Sequence, residues 1–307
     1  RVSILTGHPG SNIWSGAGEV TMHRTISLAF AILIAATTLA GCTGVPGPEE
    51  TEVFDRTVAV EPESSVVVVN RNGGVNVSAW DEDYVAITAV KRTVYGRGEL
   101  AKVSIDVTEG DPLRIESVYT GINVRAGVDY TIRLPPDVVL QRVESSNGGI
   151  ELTGVRVAGT ELATSNGPVR VAGARGGDIR VSTSNGGIDL RDVEGYVVGT
   201  TSNGGITVED CGGLITLRTS NGPISADISA VREDVTVSTS NGGITLRFAE
   251  DLNARVTATT SNGRVTVRDR SLQVSESTGT SVTGLLGNGG PTITATTSNG
   301  GIDLSGL

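Results

Sequence analysis

The chain has 307 residues, with 24 Lys+Arg against 34 Asp+Glu, for a formal net charge of -10. That acidic surplus makes nucleic acid an unfavourable partner and mainly supports solubility. With 42 Gly, 3% aromatic residues and abundant Val, Ile and Thr, the composition excludes a helical protein and points to an all-β fold with many turns.

In chain order, the first organised stretch is 22–42. Met22-His23-Arg24-Thr25 is followed by the apolar run 26–39 and then by Ala40-Gly41-Cys42. A basic start, a short apolar core and small residues before a cleavage point describe a secretory signal. The run is short for a membrane span, which takes about 20 apolar residues. Leu39-Ala40-Gly41-Cys42 resembles the lipobox of prokaryotic lipoproteins, which implies that Cys42 is lipidated and becomes the first residue of the mature protein. On this reading 1–21 precede the true start, 22–41 are the signal peptide, and 42–53 are the lipidated Cys and a flexible tether. A lipid amide plus a diacylglycerol supplies the two or more chains that stable anchoring requires. The expected location is therefore exported and anchored to the cell membrane or outer membrane, facing outside the cytoplasm.

The segment 54–142 carries alternating runs at 65–69, 75–78, 85–90, 103–107, 113–118 and 130–134, separated by turn clusters such as Glu109-Gly110-Asp111-Pro112. Six of the eight aromatics after Cys42 fall here: Phe54, Trp80, Tyr84, Tyr95, Tyr119 and Tyr130. Near its start, Val66 and Val68 precede Asn72-Gly73-Gly74, and Val75 and Val77 follow. The segment is predicted to be a β cap that covers the first edge of the sheet structure beyond it.

From 143 to 307 the chain repeats. Ser-Asn-Gly recurs with its Asn at 147, 166, 185, 203, 221, 241, 262 and 299, at spacings of 19, 19, 18, 18, 20, 21 and 37 residues. Such a period is the mark of a repeat architecture. Counting from the Asn, position -2 is Thr in seven copies and Ser145 in the eighth, and +3 is β-branched in all eight. Positions -6, -4, -2, +3 and +5 are predicted to face inward, as with Ile215 and Leu217, or Val235 and Val237.

Asn-Gly between alternating runs ordinarily signals a hairpin. Here +2 is Pro168 and Pro223 in two copies, and Pro lacks the N–H that closes a two-residue hairpin. The inward phase also changes again, since +7 is Gly154, Asp192 or Asp210 while +8 is Val155, Val193 or Cys211. Two bends per coil of about 18–21 residues predict a parallel β-solenoid.

Stacked coils about 4.8 Å apart would align like residues as ladders. Asn147, Asn166, Asn185, Asn203, Asn221, Asn241, Asn262 and Asn299 would pair their amides, Thr at -2 would stack hydroxyls, and Gly at +1 would supply a positive φ. The irregular stretch 268–291 reads as a degenerate coil with an extruded loop. The chain stops soon after the last repeat, so its final sheet edge is expected to be covered by that loop or to pair with another molecule.

The lipobox, the β region ending in Ile132-Arg133-Leu134-Pro135-Pro136 and the tandem Thr-Ser-Asn-Gly-Gly-Ile coils resemble the prokaryotic "putative adhesin" family of β-solenoid proteins over about residues 60–307. The resemblance implies adhesion, and it brings no catalytic residues with it.

The residues themselves give little chemistry. Both His, His8 and His23, precede Cys42, which removes Ser-His-Asp catalysis and His-based metal sites from the mature chain. Cys211 is expected to be a buried small apolar residue, and Trp80, at +8 of the first repeat-like segment, is expected in the core. Carboxylates at Glu151, Asp189 and Asp303 (+4) and at Asp192 and Asp210 (+7) could line a calcium or polysaccharide-cleaving site, or serve as a charged surface. The single Asp ladder argues against calcium-binding nonapeptide repeats, no helix follows a Gly-rich loop to bind phosphate, and Tyr196 and Phe248 alone make no aromatic platform.

The reading is thus a lipid-anchored, non-enzymatic cell-envelope solenoid without cofactor or metal, presenting a face to a surface glycan or protein. A polysaccharide-active β-helix enzyme and a scaffold self-associating through the C-terminal edge are the alternatives.

Overall fold

The computed structural model of the protein describes residues 46–307. The segments 1–21 and 22–41 and the expected lipid site Cys42 lie outside the described residues. Within them, strands follow one another with a single 3-10 turn at Leu100–Lys102.

The all-β parallel solenoid read from the repeats is borne out. Each coil has one strand running into the Asn-Gly corner and one leaving it, such as Arg156–Asn166 and Val169–Ala174. Each strand pairs in parallel with its counterpart one coil on, so Val169 lies opposite Ile188, and Ile206, Ile224 and Ile244 follow in the same row. Ile179, Val181, Thr183, Ile188 and Leu190 of one coil are all buried, matching the inward positions -6, -4, -2, +3 and +5. The two inner faces enclose one hydrophobic core that continues along the stack. Each aliphatic side chain taken out of water there contributes roughly 1.5–3 kcal/mol. Ile215 departs from the pattern. A register shift pairs Val197 with Leu214 and Val198 with Thr216, so Leu214 is buried in its place and Ile215 is left half-exposed.

The order of the coils in space is not their order in sequence. Ser65–Val69 lies between Leu113–Tyr119 and Val139–Asn147, and Val75–Ala79 lies between Gly127–Leu134 and Ile150–Thr153. At the other end Thr292–Asn299 lies between Val235–Asn241 and Ala254–Asn262, and Ile302–Gly306 between Ile244–Phe248 and Val265–Val267. The stack therefore begins with coil 113–134, then 65–79, then 139–153 and onward in sequence to 235–248. It ends with 292–306 followed by 254–267.

Both ends are closed by a switch to antiparallel pairing. Val103–Thr108 adds to Leu113–Tyr119, while Tyr84–Thr93 and then Glu50–Ala59 add to Gly127–Leu134. At the far end Ser281–Leu286 adds to Ala254–Asn262, and Gln273–Ser277 adds to that. The switch interrupts the template that would otherwise recruit another coil.

Several expectations change as a result. The segment 54–142 is not a cap standing ahead of the repeats, because 65–79 is a full coil inside the stack with both strands paired on both sides. Strand structure starts at Glu50, where Glu50 pairs with Thr93 and Val53 with Val90, so 50–53 belong to the fold rather than to a tether. The last coil in sequence has no open edge, and the loop 268–291 supplies the hairpin that covers Ala254–Asn262. Trp80 is half-buried at the surface, with its indole N–H on the Tyr84 carbonyl at 2.9 Å and its ring edge-on to Tyr84.

Candidate functional site

The repeated motif builds one corner of the rod. Asn72, Asn147, Asn166, Asn185, Asn203, Asn221, Asn241, Asn299 and Asn262 form an unbroken ladder in that spatial order. Each amide nitrogen donates to the carboxamide oxygen of the preceding coil at 2.7–3.0 Å. All eight bonds point the same way, toward the coil of Asn72. Beyond Asn72 the register places Tyr119 where the next Asn would stand, and its hydroxyl donates to the Asn72 backbone carbonyl at 3.4 Å.

The other motif positions have different work from that expected. The inward Thr hydroxyls do not stack on one another. Thr183 donates to the Gly167 carbonyl at 3.0 Å, Thr219 to Gly204 at 2.9 Å and Thr239 to Gly222 at 3.0 Å, each satisfying a corner carbonyl one coil away. Gly186 is not needed for a positive φ. A Cβ there would lie 2.0 Å from the Gly167 carbonyl oxygen, so close approach of the backbones selects Gly. Among the +1 glycines only Gly73 (φ 121°) and Gly300 (φ 157°) have a positive φ, whereas at the second corner, +7, φ is 67° at Gly154, 71° at Gly173 and 52° at both Asp192 and Asp210. Residue +2 uses only its carbonyl in the stack, as Ile150 N–H to Pro168 and Ile206 N–H to Pro223 show, which is why Pro is accepted there.

Two flat faces flank the corner. On the face after it, Asp189, Glu209 and Asp227 are joined through Arg191 and Arg247 in one ion-pair network, and Asp303 is paired separately. Asp189 pairs with Arg191 at 2.9 Å, Arg191 reaches Glu209 at 3.6 Å, Arg247 reaches Glu209 at 3.7 Å, and Arg268 pairs with Asp303 at 3.3 Å. Asp227 Oδ1 lies 2.5 Å from Arg247 Nε without the alignment of a hydrogen bond; burial raises its pKa, and Arg247 opposes that rise. Glu151 lines a shallow depression of about 330 Å³ with Asp129 and Arg170. Asp192 and Asp210 hold the second corner. Among the described residues no group of three His, Cys, Asp or Glu is placed to hold a metal ion.

The face before the corner divides into two halves. Toward the coil of Asn147 it carries Arg142, Glu144 and Glu161, with Arg142 paired to both carboxylates. Toward the far end it becomes mainly a lattice of hydroxyls, with exposed Arg218 and Arg255 at its margins. Thr216, Thr236, Thr294 and Thr257 follow one another in one row, and Arg218, Ser238, Thr296 and Thr259 in the next.

Sequence reasoning missed a third feature. At the head of the ladder Asn72, Arg92, Tyr95, Arg125, Gly127 and Asn147 line an open depression of about 620 Å³. Arg92 is held by Asp129 at 2.8 Å, while Arg125 lies over the Tyr95 ring at 4.7 Å. The aromatic concentration in 54–142 was its only signal. Cys211 is buried and hydrogen-bonds within the core, and burial pushes its thiol up to about 11.

A parallel solenoid with an Asn-Gly corner ladder and antiparallel closures defines the class. The particular family follows from comparison, since the Toastrack DUF4097 family matches residues 61–305, and the chain belongs to it. No curated protein matches. Similar solved structures include a putative adhesin from Bacteroides fragilis, at 11% identity and TM-score 0.46, covering 83% of this chain and 97% of that one. A putative cell adhesion protein from Clostridium sporogenes is similar at 12% identity and TM-score 0.24, covering 83% of this chain and 100% of that one. A putative adhesin from Parabacteroides merdae is similar at 8% identity and TM-score 0.31, covering 83% and 96%.

Proposed function

We propose that the protein is an exported, lipid-anchored and non-enzymatic adhesin-like rod that meets a surface glycan or protein through its flat faces. The observation that supports this reading is the contrast between corner and face. The corner's Asn amides and inward Thr hydroxyls are bonded to neighbouring coils, whereas the rows through Thr236, Thr294 and Thr257 leave their hydroxyls to solvent. A hydrolase would need acid and base converging on one groove. Asp189, Glu209 and Asp227 do lie in one network, but each is ion-paired with Arg191 or Arg247 rather than left free as an acid or base, and Asp303 is paired with Arg268.

Glycan-array and whole-cell binding with residues 43–307 test the adhesive role. Binding is expected, and Thr236→Lys with Thr294→Lys should abolish it; no binding to any cell or glycan contradicts the role. Cys42→Ser should release the full chain from membranes, and continued membrane association of that variant contradicts the lipid anchor.

A further inference from the structure

We propose that the cap end of the rod is a docking surface for anionic phospholipid, with Ile122 as its inserted apolar tip. The first coil of the stack differs from the others at the corner. Two residues, Gly73 and Gly74, separate Asn72 from Val75, whereas in coil 113–134 the matching positions, Tyr119 and Tyr130, are separated by 120–129. The added loop turns through Gly121 (φ 109°) and Asn123 (φ 55°) and holds Ile122 at its tip, 90% exposed. No other large apolar side chain among the described residues is so far from the core.

The surroundings of that tip are cationic and aromatic. Among the described residues Arg125 makes no ion pair, although its backbone N–H donates to Glu99 at 2.8 Å; its guanidinium lies over Tyr95, which is itself 42% exposed. Arg71 stands at position -1, where the eight later copies carry Ser; among the described residues it too has no carboxylate partner, and it lies over a ring, that of Tyr119 at 5.6 Å. Of the acids at this end, Asp129 is engaged by Arg92, Glu50 by Arg97 and Glu99 by Lys102, while Glu49, two residues after Gly47, is exposed. An exposed aliphatic tip, tyrosines that are part apolar and part polar, and unpaired guanidiniums together match the headgroup region of a bilayer, where basic residues meet lipid phosphate.

The course of the chain favours a membrane over any other occupant. The Gly47 N–H bonds the Val94 carbonyl at 2.8 Å and Glu50 pairs with Thr93, so the N-terminal segment leaves the fold beside Tyr95. The five residue steps from Cys42 to Gly47 span at most about 18 Å. On the lipid-anchor reading, which this inference uses for the origin of the membrane but not for the docking contacts, the acyl chains are held within that distance of Gly47, at the Tyr95 end of the rod. A rod docked by this end stands off the bilayer and carries the hydroxyl lattice of Thr236, Thr294 and Thr257 outward.

Residues 43–307 contain every strand among the described residues and both end closures, so the unlipidated domain serves for the test. Co-sedimentation is measured with phosphatidylcholine vesicles, with vesicles that also contain phosphatidylglycerol, and with hyaluronate as a soluble polycarboxylate competitor. Binding to the phosphatidylglycerol vesicles alone is expected, with at least a tenfold loss on Ile122→Asp and on Arg71→Glu combined with Arg125→Glu. Val274→Asp, at an exposed apolar residue of the far hairpin, should change nothing, and thermal melts of the loop variants should match the parent. The inference is overturned by absence of vesicle binding, by an equal loss in Val274→Asp, or by hyaluronate occupying the domain while vesicles do not. Because no lipid is attached, those failures are separate from release of Cys42→Ser from cells.

Discussion

Asn299 donates its side-chain amide to Asn241 at 2.9 Å across 58 residues of chain, and its own oxygen accepts from Asn262 at 3.0 Å. The last coil of the sequence is thereby inserted between two coils that precede it, and 254–267 becomes the end of the stack. This end closes only when the final segment arrives, a non-local step of the kind that slows folding.

Truncation after residue 291 should therefore unfold more than a terminal turn. In a solenoid threaded in sequence, loss of the last coil frays one edge. Here it removes the strands that join Val235–Asn241 to Ala254–Asn262 and Ile244–Phe248 to Val265–Val267. Urea unfolding should show a lower midpoint and a smaller slope, because less surface is buried in the native state. An unchanged slope would contradict the insertion.

Gly186→Ala should destabilise the protein by about 1–3 kcal/mol, the usual cost of overpacking a close contact. The added Cβ would meet the Gly167 carbonyl oxygen at 2.0 Å. Asp192→Gly should be neutral or slightly stabilising, because Asp192 holds φ at 52°. The urea midpoints of the two variants separate a steric requirement at +1 from a conformational one at +7.

Asn203→Asp tests the polarity of the ladder. Asn203 donates to Asn185 and accepts from Asn221, both at 2.9 Å. A carboxylate can accept but cannot donate, so it would face the Asn185 oxygen as a second acceptor, costing about 1–3 kcal/mol at neutral pH. A protonated carboxyl can do both. The folded state thus raises the pKa of the new group, and its stability should be present below the ordinary carboxylate value near 3.9 and lost as pH rises. Thermal melts against pH, compared with the parent, check the sign.

The coil was legible in the sequence because inward positions recur at fixed offsets from each Asn, and burial at Ile179, Val181, Ile188 and Leu190 follows that phase. Pro168 and Pro223 were enough to turn a hairpin into a corner. The coil order was not legible, since Asn299 carries the same Thr-Ser-Asn-Gly-Gly-Ile motif as interior copies, Asn72 keeps its Asn-Gly-Gly core, and nothing in a motif specifies its neighbours. The role of Gly at +1 was misassigned because a close approach between backbones and a positive φ select the same residue. The cap-end depression depends on Tyr95 and Arg125 meeting across 30 residues, a contact with no local signature.

Cys211 should resist thiol reagents in native residues 43–307 and react on unfolding. Burial raises its pKa from 9.0 to about 11, so the folded state favours the thiol. Stability from this source is full below pH 9.0 and is lost as pH rises toward about 11. Cys211→Ala should flatten the alkaline decline measured by chemical denaturation.

Zero-length oxidative cross-linking measures the coil order most directly. In residues 43–307 carrying Cys211→Ser, Ser240→Cys is combined either with Ser298→Cys or with Ser261→Cys. Asn241 pairs with Asn299, which places positions 240 and 298 on adjacent strands within disulfide reach, whereas 240 and 261 are separated by the inserted coil. The first pair should cross-link and the second should not. Cross-linking of 240 with 261, and none of 240 with 298, would contradict the insertion of the last coil.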